Sequence, residues 1–198
     1  MLAILGVVRR IGPFWLKKLI WNVEFSRGKW VYLHPPDNLV TSLFQLMGPD
    51  SSLLDLGCGN GELASCLRSQ GWRGPYTGVD ISSEGLRFAF GRNLPSCRWV
   101  NADIGDFSSD SRYDAIVMIE SLYYLRLEQA ESLLLRLKAL LTPAGCLIIR
   151  IHDSRRHSAY LAAIEKVYPA AKKFSTGSGQ AYFLHRNQGS SEYSSGSS

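Results

Sequence analysis

A chain of 198 residues, 45% hydrophobic and 20% charged, has the composition of one ordinary globular domain with a sizeable core. Its net charge of +5 sits in residues 1–30, where Arg9, Arg10, Lys17, Lys18, Arg27 and Lys29 face Glu24 alone, so the other 168 residues hold 16 basic and 16 acidic side chains. That balance argues against a nucleic-acid enzyme, which spreads a basic stripe over its binding face, and no run reaches the roughly 18–20 apolar residues of a membrane span. Met1 to Val8 is apolar but precedes the basic residues, the reverse of a signal peptide, so a cytoplasmic protein is expected. Cys58, Cys66, Cys97 and Cys146 form no CxxC pair and match no zinc spacing. They are expected as reduced thiols packed as small hydrophobes, with no metal.

Residues 1–49 are expected to form a basic, aromatic, helical leader. Phe14 to Phe25 sets Trp15, Leu19 and Val23 against Lys17, Lys18 and Asn22, an amphipathic pattern. One reading is a lid folded over the open end of a sheet, with Arg27, Trp30 and Tyr32 reaching a site. The other is a helix lying on an anionic membrane surface. Pro36 to Met47 has Leu39, Leu43, Leu46 and Met47 on one helical face. A short apolar strand at Ser52–Leu56 follows, then a helix from Gly61 to Gln70. Strand Pro75–Asp80, helix Ser83–Phe90 and strand Cys97–Asn101 come next. Tyr113–Ile119 is apolar almost throughout, as a strand buried on both faces should be. Leu127, Ala130, Leu134, Leu137 and Leu141 follow helical spacing, with Thr142-Pro143-Ala144-Gly145 as the stop. Strand Gly145–Ile151 and helix Ser158–Val167 follow. Lys172–Ser175 and Ala181–His185 flank Gly177-Ser178-Gly179 as a closing antiparallel hairpin. Residues 187–198, rich in Ser and Gly, have little to bury and are expected to be a disordered tail.

This alternation predicts a Rossmann-like α/β domain over residues 50–186, with a doubly wound, mostly parallel seven-stranded sheet. Ligands in such sheets sit at the carboxyl ends of the strands, near the switch point. Asp55-Leu56-Gly57-Cys58-Gly59-Asn60-Gly61 follows the first strand. Its glycines are spaced GxGxG rather than the GxGxxG of dinucleotide sites. Asp55 would oppose a pyrophosphate but favour a cationic amino group. Asp80 ends the second strand, where a carboxylate accepts hydrogen bonds from both ribose hydroxyls. It would alternatively cap the next helix together with Ser82. Asn101-Ala102-Asp103-Ile104 puts a third carboxylate at a strand end, with Asp103 placed for an adenine amino group and Ile104 for the ring face.

Together with Gly78-Val79-Asp80-Ile81-Ser82, Tyr113-Asp114-Ala115-Ile116-Val117 and Leu141-Thr142-Pro143-Ala144-Gly145, these segments resemble the motif series of class I S-adenosylmethionine-dependent methyltransferases. Ile119-Glu120-Ser121-Leu122-Tyr123-Tyr124-Leu125 resembles the segment after strand four of NodS-like N-methyltransferases, which act on an amino sugar. Residues 1–49 resemble the leader of small methyltransferases from polysaccharide-type clusters. The resemblance implies S-adenosyl-L-methionine as cofactor, held by Asp55, Gly57, Cys58, Gly59, Gly61, Asp80, Ile81, Asp103, Ile104 and Ile119. An Asp/Asn-Pro-Pro-Tyr/Phe tetrapeptide is missing after strand four, which argues against nucleobases and glutamine as acceptors. An oxygen or nitrogen of a small molecule or glycan is the expected acceptor. Glu120 is the first candidate base, or else it orients the cofactor or caps a helix. His152, at the end of strand five, is the alternative base. Trp30, Tyr32, Tyr123 and Tyr124 are candidates for the acceptor pocket. A rival reading is a catalytically silent subunit on the same fold.

Overall fold

Strands buried on both faces bring apolar residues to both sides of one sheet, and Leu53–Leu56 is buried at all four positions. A computed structural model of the chain describes residues 2–28, 30, 35, 37–175 and 180–187. The elements run α1 (Leu2–Ile11), α2 (Phe14–Ser26), α3 (Asp37–Leu46), β1 (Leu53–Leu56), α4 (Glu62–Ser69), β2 (Tyr76–Asp80), α5 (Ser83–Gly91) and β3 (Cys97–Asn101). After these come β4 (Tyr113–Ile119), a 3-10 turn (Leu122–Tyr124), α6 (Leu127–Leu140), β5 (Leu141–Ile151), α7 (Ser158–Val167), β6 (Lys172–Ser175) and β7 (Ala181–Arg186). Gly177-Ser178-Gly179, Tyr32 and residues 188–198 of the expected tail lie outside the described residues.

The sheet order is β3-β2-β1-β4-β5-β7-β6. β1 pairs in parallel with both β2 and β4, so the winding reverses there. β5–β7 and β7–β6 are antiparallel. This is the expected Rossmann-like, mostly parallel sheet with a closing hairpin. Alternation along β1 splits the core in two. Leu54 and Leu56 pack on the side of α6 and α7, while Leu53 packs on the side of α3 and α4. α6 buries Ala130, Leu133, Leu134 and Leu137, the i, i+3, i+4, i+7 face of a helix lying on a sheet.

One expected boundary is corrected. Thr142–Gly145 does not separate the helix from the strand, because β5 already begins at Leu141, opposite Tyr113. Register resumes at Ala115↔Cys146, so Asp114 alone faces four residues. The Asp114 carboxylate holds this bulge. It accepts bonds from the Thr142 hydroxyl (3.1 Å) and from the Ser52 amide and hydroxyl (both 2.9 Å). Pro143, lacking an N–H, suits the excursion.

Candidate functional site

The turn leaving β1 is shaped by what it must pass. Gly57 has φ +97°, and a Cβ there would sit 2.5 Å from the Ser121 Cβ. Gly59 has φ +54°, and its Cβ would sit 3.2 Å from the Phe25 ring of α2. Both positions favour glycine on backbone and packing grounds. The result is a bare backbone cradle at the carboxyl ends of β1 and β4.

Three buried carboxylates surround the cradle. Asp55 accepts a bond from the Tyr76 hydroxyl at 2.6 Å. Burial raises its pKa from 3.8 to about 7; the Tyr76 bond works downward and the charge of Asp80 adds to the rise. Asp80 accepts the Gly59 N–H at 2.9 Å and the Ser82 N–H at 2.7 Å. Burial lifts it to about 6, against the lowering pull of the backbone N–H groups around it, Ser82 first and then Gly59. Capping of α5 falls to Ser82, whose hydroxyl accepts the Gly85 N–H at 3.0 Å. Asp103 accepts the Gly105 N–H at 3.0 Å and ion-pairs with Lys17, a buried lysine of α2.

α2 therefore lies against the strand ends, and a cavity of about 240 Å³ is lined by Lys17, Trp21 and Phe25 of α2 together with the cradle. Asn22 ties α2 to the loop after β2: its amide donates to the Ser83 hydroxyl (3.1 Å) and its oxygen accepts from the Ser82 hydroxyl (2.9 Å). Trp21 stands edge-on to Tyr124 at 4.8 Å and tilted to Trp30 at 5.8 Å, with Arg9 over its face. Glu24 pairs with Arg9 and accepts the Trp30 indole N–H at 2.6 Å.

Asp55, Gly57, Cys58, Gly59, Asp80, Ile81, Asp103, Ile104 and Ile119 line this cavity, as do Glu120, Trp30 and Tyr124. Gly61, Tyr123, His152 and Arg27 are not among its lining residues. Gly61 begins α4 in the left-handed region, where a Cβ would meet the Trp99 ring at 2.7 Å. Tyr123 donates its hydroxyl to Glu120 at 2.7 Å and stacks on His157. The His152 side chain is exposed, and its backbone N–H donates to Glu120 at 2.7 Å. Glu120 itself has φ +56° and pairs with Arg150. Sequence reasoning missed Lys17, Trp21, Phe25 and Arg150 as lining residues. Arg150 carried a signal, being a charged residue inside an otherwise apolar strand. Lys17 carried none, because nothing local distinguishes it from Lys18.

Residues 30–196 match the family described as Methyltransferase domain. The chain belongs to this methyltransferase family. Its class I relationship and S-adenosylmethionine as cofactor follow from that membership. An uncharacterized methyltransferase of Mycobacterium tuberculosis is 40% identical over 101 residues, 49% of this chain and 48% of the relative. Trans-aconitate 2-methyltransferase of Delftia acidovorans is 32% identical over 111 residues, 54% of this chain and 40% of that enzyme. The matches thus span about half the length of these curated relatives or less. The crystal structure of N-methyltransferase NodS from Bradyrhizobium japonicum with S-adenosylhomocysteine shares the fold, with TM-score 0.63 and 22% identity, covering 84% of this chain and 98% of NodS.

The residues present fit the methyltransferase cofactor, since Gly57 and Gly59 leave bare backbone along the cavity and three buried carboxylates lining it can accept bonds from cationic and hydroxyl groups. With the cofactor's amino group placed at Asp55, as proposed below, its raised pKa would make binding pH-dependent. Ligand-free Asp55, raised to about 7, would hold a proton below that pH, and an ammonium group beside it would drive that proton off. The complex binds fewer protons than the free protein, so affinity should rise from pH 5.5 to 7.5. Calorimetry with S-adenosylhomocysteine in buffers of different ionisation enthalpy should show proton release at pH 6. No proton release and flat affinity would mean that Asp55 does not face the amino group.

Proposed function

We propose that this methyltransferase-family chain transfers the methyl group of S-adenosylmethionine to an oxygen or nitrogen of a small molecule or glycan. The observation that carries this is the set of three buried carboxylates at successive strand ends around a bare glycine cradle, beneath an aromatic roof. Residues 50–186 form the cofactor domain in this reading, and the leader is its lid. Asp80 would hold the ribose, Asp55 would face the amino group, and Ile81, Asp103 and Ile104 would line the adenine site. When bound, the cofactor would supply an activated methyl carried on a sulfonium. The chain's own residues bind, orient and exclude water. Trp21, Trp30 and Tyr124 give flat apolar faces, which suit a sugar or other ring. The relative acting on trans-aconitate and the NodS fold are in keeping with a small acceptor.

Glu120 holds the floor of the chamber in this reading rather than removing a proton. Its two oxygens already accept from Arg150, the Tyr123 hydroxyl and the His152 N–H. Glu120→Gln is therefore expected to keep cofactor affinity within a few-fold and to lower kcat less than about tenfold. A general base would lose roughly 10²–10⁴ and recover at high pH. The test is release of S-adenosylhomocysteine with a panel of alcohol, carboxylate, amine and amino-sugar acceptors. Cofactor binding without turnover on any acceptor would favour the silent-subunit reading.

A further inference from the structure

We propose that the outward face of α1 and α2 docks on an anionic lipid bilayer. Val7 and Ile11 on α1, and Trp15, Leu19 and Val23 on α2, are spaced four residues apart within each helix, and their exposures run from 39% to 65%. Phe14 widens this ridge at 45%. Of nine exposed large hydrophobic residues among those described, six lie in these two helices, whereas Phe90, Leu135 and Phe174 stand singly on separate elements. Scattered apolar residues are normal on a surface; six gathered on two adjoining helices mark an interaction face.

The orientation of α2 is held from inside. Lys17 reaches Asp103, Asn22 holds the loop before α5, and Phe25 rests on Gly59. Turning the ridge inward would break all three contacts, so the ridge stays outside. Arg10, Lys18 and Arg27 on these helices meet no carboxylate among the described residues: Arg27 is exposed, Arg10 lies over the Tyr160 ring at 6.0 Å, and Lys18 donates to the neutral Asn101 amide oxygen at 2.6 Å. An apolar ridge bearing aromatic residues beside unneutralised cations matches the interface of an anionic bilayer. A second copy would bring the same positive charge against itself, which disfavours self-association. This docking does not depend on the acceptor, but it would hold the segment that roofs the cavity against the lipid surface.

The experiment sediments the full chain with vesicles of equimolar phosphatidylglycerol and phosphatidylcholine, and separately with phosphatidylcholine alone. Binding to the anionic vesicles should be at least tenfold stronger and weaken with salt. The double variant Trp15→Glu with Leu19→Glu should lose at least tenfold, with S-adenosylhomocysteine binding unchanged by calorimetry. A second pair, Arg10→Glu with Arg27→Glu, keeps the ridge, reverses the charge and should lose as much. Equal binding to both vesicle types, or retention of binding by the charge-reversed pair, would overturn the proposal. So would a concentration-dependent dimer in gel filtration that the ridge variant abolishes, since the face would then belong to a second copy.

Discussion

Asp80→Ala is expected to weaken S-adenosylhomocysteine binding about a hundredfold. The carboxylate is 8% exposed and already accepts the Gly59 and Ser82 N–H groups, one on each oxygen. Each oxygen keeps lone-pair capacity for a ribose hydroxyl. Two charge-assisted bonds at about 1.5–3 kcal/mol each give roughly 3 kcal/mol or more, which is about two decades in affinity. Truncation also leaves two backbone donors of the glycine loop without their acceptor, so the cradle itself should loosen. Isothermal calorimetry measures the affinity, and excess cofactor should restore much of the turnover. A loss under fivefold would mean that the ribose is held elsewhere.

Gly57→Ala is expected to destabilise the folded chain by roughly 3 kcal/mol. A side chain at φ +97° costs about 1–3 kcal/mol in backbone strain. Its Cβ, 2.5 Å from that of Ser121, adds overpacking of about 1–3 kcal/mol. For a chain of this size that lowers Tm by roughly 6–12 °C. The double variant Gly57→Ala with Ser121→Gly removes the clashing carbon and should recover part of the loss. The recovery will be incomplete, because the Ser121 hydroxyl also donates to the Leu56 carbonyl at 2.6 Å. Thermal unfolding of the three variants gives the coupling directly. An unchanged Tm for Gly57→Ala would show that the β1 turn and the Ser121 segment are not in close approach.

Local pattern was enough for most of the fold and half of the candidate site. Apolar runs and helical spacing depend on neighbours within about eight residues, and they placed each strand, α4 to α7 and the closing hairpin. Carboxylates and glycines at strand ends were equally legible, because a parallel sheet puts its loops at one edge regardless of packing detail. What the sequence could not determine was settled by partners far along the chain. Which face of α2 turns inward depends on Asp103, 86 residues from Lys17, and on Gly59, whose bare backbone admits the Phe25 ring. Helical periodicity is symmetric in this respect: it separates Trp15, Leu19 and Val23 from Lys17, but not inside from outside. The bulge at Thr142–Gly145 depends on Asp114 and Ser52, which meet only in the folded sheet. The place of Glu120 after β4 marked it as a candidate, either as a base or as a group that orients the cofactor or caps a helix, without revealing its partners. Its surroundings come from β5 and the 3-10 turn, and they occupy both of its oxygens. Backbone period is a short-range property, whereas charge pairing in a low-dielectric interior joins whichever groups the topology brings together, and only the tertiary structure decides that.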